Sequence, residues 1–295
     1  MADRRLQIGM WGSFDASAWE RFALGGINGL ELCQMRDEAE LRSAVRFCGD
    51  RGVAFGLHAP GIRRDAYVLP KLTSSDAEER GAAIGHAEEQ VELAREQGAD
   101  YVLLHFPFPA FCPEKRSEAL SWIFPIPGIY DRSPFSERTF MEIGRRVFES
   151  LAELQLRYKQ RIVLEYDFFG EYENKFIELF REFPSVEAVL DTQRLDLHAR
   201  AFPGFDPYGL IDAMAPYTYL VHYSNIQYEE HGMKRHLPVL SEQEGDVRFG
   251  DAIAYLKRLH QGNRRFHLLF EHQASLVAAE ELASCYGTAA QIIGL

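Results

Sequence analysis

Four apolar segments of the sequence each run directly into a residue that can bind a metal ion. The pairs are residues 162–164 with Glu165, 186–190 with Asp191, 219–221 with His222, and 267–270 with Glu271. A buried carboxylate is unfavourable unless it is paired or holds a metal. Mixed carboxylate and imidazole ligands suit Mn²⁺, Zn²⁺, Co²⁺ or Fe²⁺ better than a thiolate-type metal. If the four segment ends meet in space, they predict a divalent metal site.

Two further apolar segments end in histidine. Residues 53–57 precede His58, and residues 101–104 precede His105. One histidine at a strand end is commonly structural, but six such ends in one chain indicate a shared site. Three of the four best ligands are carboxylates, which favours Mn²⁺ or Mg²⁺ over Zn²⁺. We therefore predict one divalent metal ion.

The elements that must position these residues alternate between strand and helix patterns. Eight strands are predicted at residues 6–11, 29–33, 53–57, 101–104, 162–164, 186–190, 219–221 and 266–270. Strands separated by helices pair in parallel through right-handed crossovers. Eight of them close a (β/α)₈ TIM barrel, whose carboxyl strand ends meet at one face. We predict a single barrel domain over residues 1–295. A doubly wound open sheet is the alternative, but residues 9–12 are not the glycine-rich nucleotide loop that it would bring.

Apolar periodicity and capping residues predict the helices. Besides a short first helix after residue 15, they are expected at residues 38–50, 76–97, 137–158, 175–182, 207–214, 249–260 and 275–292, the last capped by Ser275. Two long loops are expected at about residues 106–136 and 225–248. Loops of this length within a domain are usually functional, so we expect both at the active-site face.

Composition narrows the class of partner and the compartment. The net charge of −12 disfavours nucleic acid, because neutralising phosphates requires Lys and Arg. The four cysteines Cys33, Cys48, Cys112 and Cys285 show no metal-type or redox spacing and are interpreted as reduced thiols. The N-terminal segment lacks the long apolar run of a signal peptide, so we expect none, and no apolar stretch approaches the ~20 residues that span a bilayer. We expect a cytoplasmic protein with no membrane partner.

The order of motifs along the chain resembles the xylose isomerase-like TIM barrel superfamily. It is carried by His-Ala-Pro at residues 58–60, Glu165, Asp-Thr at residues 191–192, His222 and Glu271. The resemblance covers essentially the whole chain. The superfamily includes sugar isomerases and epimerases, hydroxypyruvate isomerase, inosose and dehydroshikimate dehydratases, and endonuclease IV. The motifs are specific for the superfamily and weakly specific for the activity.

The resemblance implies roles for the strand-end residues. Glu165, Asp191, His222 and Glu271 would hold a single metal ion, and Glu165 and Glu271 would lie either side of the substrate carbon and transfer its proton. A metal that polarises a carbonyl makes the adjacent C–H acidic and stabilises an enediolate, and a carboxylate within reach moves the proton. Asp167 faces the same way as Glu165, and we interpret it as a rim residue.

Endonuclease IV resembles the chain at further positions, where the differences are informative. His58 and His105 match two of its zinc ligands. Its Asp-Thr-x-His motif is Asp-Thr-Gln-Arg at residues 191–194, and its Asp-x-His pair is Lys-Arg-His at residues 234–236. Arg194 and Lys234 therefore replace two of three ligands of one zinc. A nuclease becomes a minor alternative.

Six residues are predicted to contact substrate: His58, His105, Arg194, Lys234, His236 and Trp11. Arg194 replaces a histidine that contacts substrate in the sugar epimerases, and Arg194 and Lys234 suit a carboxylate or phosphate group. Pairing of Arg194 with Asp196 or another rim acid is equally compatible with the sequence. Trp11 suits stacking on a sugar face, although it also suits a core.

The favoured hypothesis is a metal-dependent isomerase or epimerase of a small polyhydroxylated carbonyl compound. The second is a dehydratase of an inosose or dehydroshikimate-like compound at the same site, and the third is an endonuclease. A barrel that only binds a sugar is disfavoured because all four metal ligands are present. We expect a carbohydrate-like substrate, and a homodimer or homotetramer if subunits associate.

Overall fold

Eight parallel strands close into a barrel in the computed structural model, which describes residues 4–64, 69–111, 130–131, 136–167, 172–230, 232–272 and 277–295. The strands are β1 (Leu6–Trp11), β2 (Gly29–Met35), β3 (Ala54–Ile62), β4 (Val102–Phe106), β5 (Ile162–Tyr166), β6 (Glu187–Asp191), β7 (Thr218–Tyr223) and β8 (His267–Phe270). Each strand pairs with the next along the chain. β8 returns to β1, with Gln7 opposite Leu269. The predicted TIM barrel is confirmed, and an open doubly wound sheet is excluded because the sheet closes.

Nine α-helices in the described parts of the chain surround the barrel. They are α1 (Ala16–Phe22), α2 (Glu38–Arg51), α3 (Ala77–Gln97), α4 (Glu137–Tyr158), α5 (Glu173–Glu182), α6 (Thr192–Ala201), α7 (Pro207–Met214), α8 (Ala252–Gly262) and α9 (Ala279–Ile293). Local chemistry sets their ends. The Asp76 side chain accepts hydrogen bonds from the N–H groups of Glu78 and Glu79, and Gly98 ends α3 with a φ of 75°.

The sequence prediction differs from the observed helices in three places. It missed α6, whose inward face is largely polar because it borders the site described below. It began α8 at residue 249, whereas the helix begins at Ala252 because the N–H of Gly250 is bonded to the carbonyl of Ile226. It named Ser275 as the cap of α9, but Ala278 occupies that position and residues 273–276 lie outside the described part.

The two predicted loops have different outcomes. Residues 225–248 were expected to be irregular, but they contain an antiparallel ribbon of Asn225–Glu229 and Gly232–Leu237 and a 3₁₀ turn at Ser241–Gln243. Of the loop at 106–136, most lies outside the described residues. The described part includes a two-residue strand pair, Ala110–Phe111 with Tyr130–Asp131.

Apolar side chains form two layers. The outer layer lies between the strands and the helices and is the larger. The inner layer fills the barrel interior and consists of Tyr101, Leu103, Val163, Val189, Tyr219, Leu220 and Leu269. Cys33, Cys48 and Cys285 are buried free thiols, and Cys112 lies outside the described residues. Among the described helices, none combines the length and apolar character needed to cross a bilayer.

His267, the first residue of β8, links the last strand of the barrel to Arg5, the residue just before the first strand. Its Nδ1 accepts a hydrogen bond from the backbone N–H of Arg5 at 3.0 Å, and its ring packs edge-on against Tyr219. Burial, followed by the nearby Arg5 and Arg161, lowers the pKa of His267 to about 3. In the unfolded chain this ring becomes protonated near pH 6.5, whereas in the folded chain it stays neutral until the pH approaches 3. The neutral ring therefore contributes its full stability above pH 6.5. That stability is lost as the pH falls from 6.5 towards 3.

We therefore expect His267→Asn to make the fold less sensitive to acid. Asn keeps an acceptor close to the position of Nδ1 but does not titrate. The fall in the free energy of unfolding between pH 7 and pH 5 should be about 1 to 2 kcal/mol smaller than in the unsubstituted protein. Urea unfolding at the two pH values measures it, and the exposed His86→Asn serves as control. An equal fall in both proteins would contradict the prediction.

Candidate active site

The predicted ligand residues lie one inward position beyond the inner apolar layer. Side chains alternate along a strand, so residues two apart face the same way. The pairs are Leu103 with His105, Val163 with Glu165, Val189 with Asp191, Leu220 with His222, and Leu269 with Glu271. The first member of each pair fills the interior, and the second member stands above it at the carboxyl end of its strand. The barrel therefore brings the strand-end residues together, as the sequence predicted.

Glu165 is at the centre of this cluster. Its carboxylate lies 3.1 Å from His105 Nε2 and 3.6 Å from His58 Nε2 on one side. On the other side, Oε1 lies 3.5 Å from His222 Nδ1 and 3.1 Å from Arg194 Nε. The side chain is only 2% exposed. Glu165 thus lies between the pair His58 and His105 on one side and His222 and Arg194 on the other.

His58 and His105 form a compact donor set with Glu165. His58 Nδ1 lies 3.0 Å from the Ala59 carbonyl oxygen, and His105 Nδ1 lies 2.9 Å from Asp167 Oδ2, so each Nδ1 carries a proton and donates it. In the neutral rings the lone pairs are then on the two Nε2 atoms, which are 3.2 Å apart. Ligand atoms of His58, His105 and Glu165 all lie within 4.8 Å of one another. Such a group of lone pairs fits a cation.

His222 and Glu271 present two buried atoms without hydrogen bonds. His222 Nδ1 and Glu271 Oε2 are 3.9 Å apart, and no described residue forms a hydrogen bond with either. Buried polar atoms are almost always bonded, and an exception commonly marks an ion or a functional role. Asp191 lies opposite His222 in the β6–β7 pairing. The geometry fits the predicted donor set of Glu165, Asp191, His222 and Glu271, and Glu165 is shared with the His58 and His105 set.

Arg194, in the first turn of α6, lies against three carboxylates. Its Nε is 3.1 Å from Glu165 Oε1 and 3.4 Å from Asp191 Oδ2, and its Nη1 pairs with Asp167. Asp196, the partner considered from the sequence, instead pairs with Arg200. Arg194 therefore pairs with other acids, and it supplies positive charge between two carboxylates that are also candidate metal ligands.

The pKa values of the carboxyl groups reflect this crowding. Burial alone would raise the pKa of Glu165, but Arg194, His105 and His222 outweigh it and hold the pKa well below its usual range. Burial opposes His236 and His222 at Glu271, whose pKa falls to about 2. For Asp191, burial and then the charge of Glu271 raise the pKa to about 6, although Arg194 opposes them. Glu165 and Glu271 are thus ionised at neutral pH.

His236 is held above Glu271 by Gln193. The Gln193 Oε1 accepts the backbone N–H of His236 at 2.9 Å, and its Nε2 donates to Ser224 Oγ at 2.6 Å and lies 3.1 Å from His236 Nδ1. His236 Nδ1 is 3.6 Å from Glu271 Oε2. The backbone of His236 has a φ of 56°, an uncommon conformation for a residue other than glycine. Strained conformations of this kind cluster at functional sites.

We expect Gln193→Leu to release the ribbon at His236. The apolar side chain leaves the partly buried N–H of His236 and the buried Ser224 hydroxyl without these partners, which costs about 1 to 3 kcal/mol. Urea unfolding measures the loss, and hydrogen exchange should show faster exchange of the His236 amide. The exposed Gln261→Leu on α8 is the control. Unchanged exchange at His236 in the Gln193 variant would show that the ribbon is held by other contacts.

The two remaining predicted substrate contacts lie further out. Trp11, at the carboxyl end of β1, is 37% exposed, and its ring lies edge-on to His236 with centroids 6.0 Å apart. Lys234 is exposed on the ribbon, where its Nζ pairs with Glu229 Oε1 at 2.9 Å. Within the described residues, no ion pair or hydrogen bond joins Lys234 to the strand-end cluster. The structure therefore places Trp11 at the rim of the site and Lys234 outside the cluster.

The sequence reasoning missed two residues and underestimated a third. Glu31 is fully buried inside the barrel, and its Oε2 lies 3.4 Å from His222 Nε2. A charged residue within the apolar segment 29–33 was the available signal. No feature of the sequence indicated the role of Gln193, because that role depends on its contacts with His236 of the ribbon. Asp167, interpreted as a rim residue, is 2% exposed and orients His105.

Comparison with known proteins supports the fold. No family model and no curated protein sequence matches the chain. A D-tagatose 3-epimerase-like protein shares 14% identity with a TM-score of 0.62 and covers 98% of both chains. The IOLI protein with a bound zinc atom shares 13% identity with a TM-score of 0.65 and covers 98% of both chains. Mannonate dehydratase from Streptococcus suis serotype 2 shares 13% identity with a TM-score of 0.65, covering 100% of this chain and 95% of its own. The chain therefore has the fold of the xylose isomerase-like TIM barrel proteins.

Proposed function

We propose that the protein is a metal-dependent isomerase or epimerase of a small polyhydroxylated carbonyl compound. The observation that carries this proposal is the pair of unbonded atoms, His222 Nδ1 and Glu271 Oε2, facing each other beside Glu165. Two ionised glutamates that approach the same nitrogen of a buried imidazole can hold a cation with it and exchange protons with a bound substrate. The solved structures of like fold include an epimerase-like protein, and two others contain zinc or magnesium.

Glu165, Asp191, His222 and Glu271 would hold the metal ion. When bound, a divalent ion polarises a substrate carbonyl and the neighbouring hydroxyl, so that the adjacent C–H becomes acidic. The set is rich in carboxylates, which favours Mn²⁺ or Mg²⁺, and Zn²⁺, Co²⁺ and Fe²⁺ are compatible with it.

Glu165 and Glu271 carry the proton transfer in this proposal. Both are ionised at neutral pH, so either can accept a proton from the substrate carbon. They belong to β5 and β8, on different sides of the barrel mouth. One glutamate removes the proton and the other returns one from the opposite face, which inverts the carbon or moves the carbonyl. His58, His105, His236 and Trp11 would surround the substrate hydroxyls.

A dehydratase is the second candidate, favoured by a specific contact. His105 donates from Nδ1 to the buried Asp167, so the carboxylate fixes the ring with Nε2 towards Glu165. A proton that Nε2 takes up during the reaction can then be passed to a leaving hydroxyl. Mannonate dehydratase is among the solved structures of like fold. This reaction uses the same first step, removal of a proton beside a carbonyl.

A nuclease is not favoured by the site. Arg194 and Lys234, which stand where endonuclease IV has two ligands of one zinc, form ion pairs with Glu165, Asp167, Asp191 and Glu229. The net charge of −12 also opposes binding to phosphate backbones. We propose a carbohydrate-like small molecule as substrate. Light scattering tests whether the protein is a monomer, a homodimer or a homotetramer.

Metal analysis of the purified protein and a substrate screen test the proposal. A panel of ketoses, inososes and keto acids is incubated with the Mn²⁺-loaded protein in D₂O and read by mass. Incorporation of deuterium without a change in composition supports an isomerase or epimerase, and loss of water supports a dehydratase. A protein that holds no divalent metal and shows no thermal shift with Mn²⁺ would refute the shared premise.

A further inference from the structure

Glu31 lies one layer below the candidate metal site. It belongs to β2, points into the barrel, and is 0% exposed. Its Oε2 accepts a hydrogen bond from the Tyr101 hydroxyl at 2.8 Å and lies 3.4 Å from His222 Nε2. A charge buried to this extent is strongly unfavourable unless it serves a pairing. The two groups that contact this carboxylate oxygen are a phenol and the imidazole of a predicted ligand.

The hydrogen bonds around Tyr101 have a fixed direction. The Nε2 of Gln7 can only donate, and it lies 3.1 Å from the Tyr101 hydroxyl oxygen. The proton of the hydroxyl is therefore available for Glu31. The Tyr101 ring is held in place by Gly56, where an added Cβ would lie 2.1 Å from the ring. Glu31 thus acts as an acceptor that this side of the barrel holds in position.

An acceptor below His222 determines which ring nitrogen carries a proton. With Glu31 opposite Nε2, that nitrogen carries the proton and donates it. In the neutral ring, which is the form that can bind a metal ion, Nδ1 then presents a lone pair towards Glu165 Oε1 at 3.5 Å and Glu271 Oε2 at 3.9 Å. A carboxylate behind a metal-binding histidine fixes the tautomer and the ring and increases the basicity of the ligand.

We propose that Glu31 is a positioning residue that makes His222 bind the metal ion through Nδ1. The role rests on the proposed function, since it concerns the ion that Glu165, Asp191, His222 and Glu271 would hold. It explains why a carboxylate is buried in the barrel interior. In this role, the hydrogen bonds from Gln7 to Tyr101 and from Tyr101 to Glu31 hold the Glu31 carboxylate in position below the site.

Metal affinity of the variant Glu31→Gln tests this role without a substrate. Gln can accept from Tyr101 with Oε1 and then turns an N–H towards His222 Nε2, which drives the ring proton onto Nδ1. Zn²⁺ affinity, measured by competition with a chelating dye, should fall about 10- to 100-fold. Tyr101→Phe keeps the carboxylate and should weaken binding less. Glu38→Gln on the exposed face of α2 should bind as the unsubstituted protein does.

The outcomes separate this role from the proposed function. An unsubstituted protein that binds no metal refutes both, whereas a folded Glu31→Gln protein with unchanged affinity refutes the role of Glu31 alone. Long-range proton–nitrogen spectra of the Zn²⁺-loaded, ¹⁵N-histidine-labelled protein give a second readout that needs no variant. They should show the His222 proton on Nε2. A proton on Nδ1 would overturn the proposal even if the variant fails to fold.

Discussion

Glu271→Gln is expected to abolish turnover and leave the barrel folded. In the proposed reaction the Glu271 carboxylate accepts the substrate proton, and the substitution makes it an amide; loss of a positioned general base costs about 10²- to 10⁴-fold in rate. The fold should tolerate the change because Gln has nearly the same shape and no described residue forms a hydrogen bond with Glu271 Oε2. The charge of Glu271 also raises the pKa of Asp191, so its removal relieves a repulsion. The favourable charges of His236 and His222, which hold the pKa of Glu271 at about 2, are lost as well, so the melting temperature without metal should fall while the barrel stays folded.

The measurement is deuterium exchange on the substrate that the screen identifies, together with a melting curve. Glu280→Gln is a matched control, because Glu280 is an exposed residue in the first turn of α9. It should keep full activity. A Glu271 variant that retains activity within tenfold of the unsubstituted protein would remove Glu271 from the proton transfer. Loss of activity together with loss of the fold would instead show a structural role.

The strand ends were predictable because they depend on short-range rules. Each apolar segment fixed a strand, and the period of two determined that Glu165, Asp191, His222 and Glu271 face inward at its end. The alternation of strands and helices then predicted a closed barrel, which brings those ends together. The bounds of α3 followed in the same way from the capping side chain of Asp76 and from Gly98.

The contacts between elements were not predictable from one sequence. The first turn of α6 carries polar residues because they face the site, so the apolar stripe that reveals a helix is interrupted there. The partners of Arg194 come from β5 and β6, and the partner of Gln193 comes from the ribbon after β7. These positions are set by packing in three dimensions.

The burial of Glu31 inside the barrel could have been predicted from the sequence. It stands in the middle of β2, between Leu30 and Leu32, which face the helices. The period of two therefore places Glu31 inside the barrel, where a charge needs a partner. The sequence alone does not show that the partner is His222. That contact requires β2 and β7 to face each other across the barrel interior.

Arg194 provides the counter-charge of three buried carboxylates, and this makes its removal the second large effect. Glu165, Asp167 and Asp191 are each 3% exposed or less and pair with the guanidinium. Removing one partner of a buried ion pair leaves uncompensated charge, and the cost is about 3 to 5 kcal/mol. A divalent ion bound by Glu165 and Asp191 would supply that charge instead. Arg194 and a metal ion bound by the proposed ligands would therefore compete for the same oxygens.

We therefore expect Arg194→Gln to lose about 3 to 5 kcal/mol of stability in EDTA and to gain more stability from metal than the unsubstituted protein does. The second effect follows because a ligand that binds only the folded state stabilises it more when it binds more tightly. In the variant the metal ion no longer has to displace a guanidinium, so it should bind more tightly. Urea unfolding in EDTA and in saturating Mn²⁺ measures both.

Arg258→Gln breaks an exposed pair with Asp212 and should change stability by about 1 kcal/mol or less in either condition. If the Arg194 variant is as stable as the unsubstituted protein in EDTA, Arg194 does not balance these carboxylates. If its gain from Mn²⁺ is no larger, the guanidinium and the metal do not compete, and the metal binds beside Arg194 rather than in its place.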